Sequence, residues 1–172
     1  MERPASPSFL SVPGHGAGHD DASALRDAPA LRDAADILAR AAADEVAADA
    51  ARERYRTELL PTLAPDARVA PLLGSDERVI AVRRSALFDR RQPVLGSDVP
   101  SGLGGDLYLT TRRLILAGRL TLVFELDEIE DAMLSGERLL LVMKGGQGLS
   151  LDVAGPRLLR VEIAAARASA RA

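Results

Sequence analysis

The chain has 172 residues, 47% of them hydrophobic and 27% charged, with a net charge of −3. This suits one domain with an appended helix or tail, and excludes a membrane bundle, a highly charged disordered chain and a bulk basic field for nucleic acid. No cysteine is present and both histidines, His15 and His19, fall in the first 20 residues, so disulfides, thiolate metal sites, cysteine nucleophiles and histidine catalysis in the folded part are all removed.

No stretch reaches the ~18 apolar residues that span a bilayer. The opening MERPASPSFLSVPGHG has an acid at position 2, early prolines and no apolar core, unlike a secretory leader. A cytoplasmic protein is expected. Residues 1–27 are rich in Pro, Gly, Ser and Asp without an apolar period, which predicts a disordered tail. Within it, GHGAGHDD (His15, His19, Asp20, Asp21) has metal-ligand residue types. It sits in a glycine-rich tail that would lose much entropy on ordering, so no metal is expected.

Residues 28–60 are dominated by Ala, with Arg, Glu and Leu, and have no Gly or Pro between Ala30 and Leu60. These are strong helix formers. Asp27 is placed to cap the helix, Pro29 to occupy its first turn and Pro61 to stop it. Leu31, Ala35, Leu38, Ala42 and Val46 form one narrow apolar stripe. Alanine buries little area, so the stripe predicts light packing on the chain's own domain; self-association through residues 29–60 is the alternative. Residues 1–60 carry a net charge of −4 and residues 61–172 a net of +1, which argues against the helix lying on an anionic membrane.

Residues 61–75, with three prolines and a glycine, read as a connector whose leucines and Val69 pack on the C-terminal domain. From Glu77 the period becomes extended. Strands are predicted at 78–84, 106–110, 112–117, 120–126, 129–133, 138–143 and 149–153, with a long loop over 89–105 and a tight turn at Gly118 and Arg119. The segment 138–143 reads as buried on both faces. Gly155 and Pro156 open a final helix to residue 169, with Leu159, Ile163 and Ala166 on one stripe and Leu158 beside it. The fold class is therefore α+β, mainly β: a small bent antiparallel barrel of about seven strands, capped by a C-terminal helix and preceded by the alanine-rich helix. A helix in the barrel mouth covers edges that a meander leaves open.

Residues 76–169 resemble the pleckstrin homology-like (PH-like) superfold, and within it the GRAM and bacterial PH-like domains. The resemblance rests on DERVIAV, on GDLYLTTRRLILAG with Gly105, Leu107, Leu109, Thr110, Arg113 and Leu114 in the family's pattern, on Leu126, Ile129 and Ala132, and on GLSLDV before the closing helix. It implies a domain over 76–172 that binds rather than catalyses, without a cofactor.

Two charge clusters are the candidate sites. Arg83, Arg84, Arg90 and Arg91 form the densest basic group. Guanidinium forks suit phosphate, and the resemblance places lipid-headgroup contacts at the first hairpin, which makes an anionic lipid a candidate ligand and the protein peripheral at a membrane. The bland alternative pairs these arginines with Asp76, Glu77 and Asp89. Glu125, Asp127, Glu128, Glu130 and Asp131 place five carboxylates in seven positions, a solvated face or a docking surface for a basic protein partner. Gly102, Gly104 and Gly105 lie between a loop and a strand, which gives turn freedom and no phosphate cradle. No Walker motif, dinucleotide fingerprint or nucleophile elbow occurs. A protein-binding adaptor is the first expectation and an anionic-lipid binder the second.

Overall fold

The computed structural model describes residues 21–90 and 102–171, and side chains over 33–89 and 102–171. Most of the 1–27 tail, including His15, His19 and Asp20, lies outside the described residues, as do Arg91 and the side chains of Leu31 and Arg90. The chain divides into two compact units, Met1–Leu38 and Ala39–Ala172, and the boundary falls within the first helix.

That helix, α1, spans Asp21–Thr57. It starts before Pro29 rather than at it, and ends three residues short of Leu60. Alanine, leucine and arginine carry the helix through the early prolyl position, and the restriction that Pro61 places on Leu60 ends helical geometry beforehand. The expected stripe is not the face that docks. Leu38 and Val46 are 70% and 71% exposed, and Ala35 and Ala42 are exposed too. The buried face is Asp44, Ala48, Ala51 and half-buried Tyr55, spaced by four, three and four residues. Small alanines let α1 approach a second helix closely, and that proximity outweighs the larger apolar side chains on the other face.

Seven strands follow: β1 (Val79–Arg90), β2 (Leu103–Thr110), β3 (Arg113–Gly118), β4 (Thr121–Glu125), β5 (Ile129–Ser135), β6 (Arg138–Met143) and β7 (Gly148–Asp152); then α2 (Pro156–Ser169). They make one antiparallel sheet in the order β4-β3-β2-β1-β7-β6-β5. β1 does not stop at Arg84. Its pairing with β2 shifts register between Arg83 and Ala86, where Ser85 has a φ of 55°, and the strand then pairs with β7 from Leu87 to Arg90. The polar triplet that looked like a strand end is a bulge that bends one long strand across the sheet. The loop is shortened accordingly at both ends.

The β3–β4 turn falls on Arg119 and Leu120, with Gly118 still in β3. Gly118 pairs with Gly105 across the strands, and a Cβ on Gly118 would collide with the Gly104 carbonyl oxygen. β6 buries Leu139, Leu141 and Met143, while Leu140 and Val142 are only half-buried, so it has one core face rather than two.

The main core lies inside the bent sheet. Ile80, Phe88, Leu107, Leu109, Leu114, Leu116, Ile129, Leu139, Leu141 and Leu151 meet Leu159, Ile163 and Ala166 of α2. The Phe88 and Phe124 rings stack with centroids 5.3 Å apart. A second cluster sits on the outer face: Val69 of the connector packs with Val79, Tyr108, Ile115 and Ala117, and Leu63 bridges to Val79. The connector is thus part of the domain. The architecture is α+β, mainly β, with a seven-stranded antiparallel sheet, a closing helix and an N-terminal helix. Among the described residues, no helix is long and apolar enough to cross a membrane.

Candidate functional site

The β1 bulge turns Arg83 and Arg84 toward different partners. Arg83 points inward and donates from Nη2 to Glu162 Oε2 of α2 at 2.7 Å, with both side chains largely buried. Burial pushes the Glu162 carboxyl above its ordinary range, and Arg83 works against that shift. The hydroxyl pKa of Tyr55, on α1, is raised by burial and then by the Glu162 charge. Arg84 points outward and pairs with Asp106, with Asp66 at 3.7 Å. Tyr108 donates its hydroxyl to Asp66, which lowers the Asp66 pKa most, helped by the Arg68 and Val69 backbone N–H groups.

Both described arginines of the basic cluster are therefore engaged, though not by the partners expected. Asp76 binds Arg112 at 3.1 Å, and Glu77 binds Arg113. Asp89 forms no ion pair among the described residues. The actual partners stand 79 and 22 residues away in sequence.

Glu77 is the most constrained carboxylate. Its side chain is 1% exposed. It accepts from Arg113 Nε at 3.0 Å and from Arg113 Nη2, from the Thr110 hydroxyl at 2.6 Å and from Gly74 N–H at 3.0 Å. Burial alone would raise its pKa; the hydrogen bonds from Arg113, Thr110 and Gly74 overcome this and hold it at about 2. Thr110 also accepts the N–H groups of Arg112 and Arg113, and Arg113 donates to the Leu72 carbonyl. The Thr-x-x-Arg spacing thus builds a structural clamp between the connector and the β2–β3 corner. Sequence reading singled out Arg113 but not the carboxylate it serves.

A second arrangement was also missed. α2 is preceded by Gly155, at a left-handed φ of 67°, which has no side chain to cap it. Asp44 of α1 supplies one, accepting Arg157 N–H at 2.7 Å and Leu158 N–H at 3.1 Å. Arg157 then reaches Glu45 at 3.1 Å and Glu137 at 2.9 Å. No local pattern signals a cap supplied from over a hundred residues away.

The acidic run lies on the β4–β5 corner and the start of β5, and all five carboxylates are exposed. Glu125 stands 4.0 Å from Arg113 Nε. Asp127, Glu128, Glu130 and Asp131 form no ion pair among the described residues. Asp131 accepts the Ala132 N–H at 2.7 Å, and Arg167 donates to the Glu130 carbonyl at 3.4 Å. Beside the run is a cleft of about 340 Å3 lined by Arg112, Glu125, Leu126, Asp127, Arg167 and Arg171. Among the described residues, no group of three His, Asp or Glu side chains is placed to hold a metal.

No family model and no curated protein matches the chain. Among solved structures it is similar to the Vps36 N-terminal PH domain, at 18% identity and a TM-score of 0.47, over 65% of this chain and 96% of that one. It is similar to the C-terminal domain of an unknown protein from Leishmania infantum, at 19% identity and a TM-score of 0.39, over 60% and 90% of the two chains. It is also similar to the PH domain of USP37, at 15% identity and a TM-score of 0.38, over 51% and 96%.

Proposed function

We propose that the chain is a non-enzymatic, cytoplasmic binding module of the PH-like type, and that its ligand is a protein presenting a basic segment to Glu125, Asp127, Glu128, Glu130 and Asp131. The observation that carries this is a contrast in charge partnering. Four exposed carboxylates of that run have no ion pair among the described residues, whereas Arg83 and Arg84 of the basic cluster are already held by Glu162 and Asp106. An exposed charge without a partner gains one at little desolvation cost, while a paired arginine must first surrender its carboxylate. The Arg112, Arg167 and Arg171 side chains beside the run would limit which sequences fit.

The test is fluorescence anisotropy of the full chain with a labelled Lys/Arg-rich peptide and its Glu-substituted counterpart. The basic peptide should bind with marked salt dependence, and D127K together with E128K should abolish binding. Co-sedimentation with anionic vesicles is the opposing arm. Recovery on anionic but not neutral vesicles, lost when Arg90 and Arg91 are changed to Ser, would replace this reading with anionic-lipid binding through Arg83, Arg84, Arg90 and Arg91.

A further inference from the structure

On the outer face of the sheet, away from the acidic corner, three strands bring unlike polar groups together. Register places Leu87 of β1, Asp152 of β7 and Arg138 of β6 in one row, and Asp89, Ser150 and Leu140 in the next. Leu87, Asp89, Arg138, Ser150 and Asp152 line a cavity of about 280 Å3, with Gly102 at its rim. Ser150 is 2% exposed and its hydroxyl has no hydrogen-bond partner among the described residues. Buried hydroxyls without partners are rare because nothing replaces the water they lose.

We propose that this cavity is a binding site for a primary alkylammonium group. The charge of the lining decides the sign. Among the described residues that line it, two carboxylates, Asp89 and Asp152, outweigh one guanidinium, and Arg138 already lies 3.5 Å from Asp152. An anion would meet these two like charges; a cation meets a described lining with one carboxylate more than it has guanidinium groups. Donor count decides the type. An ammonium has three N–H donors and no acceptor, and it is a compact point charge. Asp89, the Ser150 oxygen and the second oxygen of Asp152 offer three acceptors on neighbouring strands. Leu87, 51% exposed, gives an alkyl stem an apolar wall. This site is independent of the acidic-corner reading and shares no residue with it.

The experiment is a backbone-amide NMR titration of the full chain with n-butylammonium chloride, beside n-butyltrimethylammonium, which has the same charge and no donors. Saturable shifts confined to the amides of Leu87, Asp89, Gly102, Ser150 and Asp152 are expected. The trimethyl probe, D89N and S150A should each weaken binding roughly tenfold, as loss of a charge-assisted hydrogen bond does. Asp89 is exposed, so D89N tests the site without burdening the fold. The D127K/E128K chain should respond to butylammonium as the parent does, even if the basic-peptide reading fails. N-acetyl-lysine methylamide binding as well as butylammonium identifies a protein side chain as the source; butylammonium alone identifies a free amine. Equal affinity for the two butyl probes, or affinity unchanged in both D89N and S150A, would overturn the proposal.

Discussion

Two buried arginine–glutamate pairs of this domain differ in how their carboxylates are satisfied. Glu77 and Arg113 sit at the β2–β3 corner, where Thr110 and the Gly74 N–H complete the carboxylate's hydrogen bonding. Glu162 of α2 and Arg83 of β1 are joined by a hydrogen bond at 2.7 Å. The first carboxyl is held at about 2 and the second is raised by burial. The difference follows the hydrogen bonds each carboxylate accepts: Glu77 from Arg113, Thr110 and Gly74, and Glu162 from Arg83.

The largest expected effect breaks the first pair. Arg113→Met leaves Glu77 ionised, buried and short of its main donor, which should cost about 3–5 kcal/mol. Arg83→Met should cost clearly less, because burial already raises the Glu162 pKa and a proton taken up there relieves the unpaired charge. Urea unfolding of both variants at neutral pH measures the difference. Equal losses would remove the contrast.

The pH dependence sharpens the comparison. Glu77 titrates at an ordinary 4.5 when unfolded and at about 2 when folded. Its contribution is therefore complete above the unfolded value and is lost as pH falls from about 4.5 to about 2. The shift corresponds to about 3 kcal/mol. Glu162 has the opposite sign: its folded pKa is raised, so it weakens the fold as pH rises through 4.5 toward that value, and protonation relieves this. Melting temperatures across the acid range should fall steeply below pH 4.5 in the parent and more shallowly in Glu77→Gln. Glu162→Gln should keep the steep acid limb.

What could be read from the chain alone divides along the same line. Elements set by local rules came through: the closing helix from Gly155 and Pro156 with its Leu159, Ile163 and Ala166 stripe, and the existence and order of the strands from β2 to β7. Whatever depends on a distant partner did not. Arg83 and Arg84 could not be matched to Glu162 and Asp106, because those partners are remote in sequence. The bulge at Ser85 looked like a strand end because three polar residues interrupt the apolar pattern. On α1 the hydrophobic stripe indicated the wrong face, since a helix that docks through alanines and a capping aspartate has little hydrophobic contrast to show.

That docking gives the next effect in size. Asp44 meets two orphan N–H groups of α2, so Asp44→Ala should cost about 1–2 kcal/mol, while Asp44→Asn should recover most of it by capping through its amide oxygen. Removal of residues 1–38, the separate unit, should leave the melting temperature near that of the full chain. Removal through residue 57 should lower it by at least the loss seen in Asp44→Ala. Thermal unfolding by circular dichroism orders the four proteins.

The smallest effect concerns the opposite face of the same helix. Leu38 and Val46 are exposed, so Leu38→Ser with Val46→Ser should change the stability of a monomer by no more than about 0.5 kcal/mol. Self-association through α1 makes a different prediction for the same substitutions. If two copies bury these side chains against each other, the parent melts at a temperature that rises with protein concentration, and the double variant loses that dependence. Melting at several concentrations, with sedimentation equilibrium alongside, separates the cases. A concentration-independent parent leaves the alanine face, with Asp44 at its N-terminal end, as the side through which α1 acts.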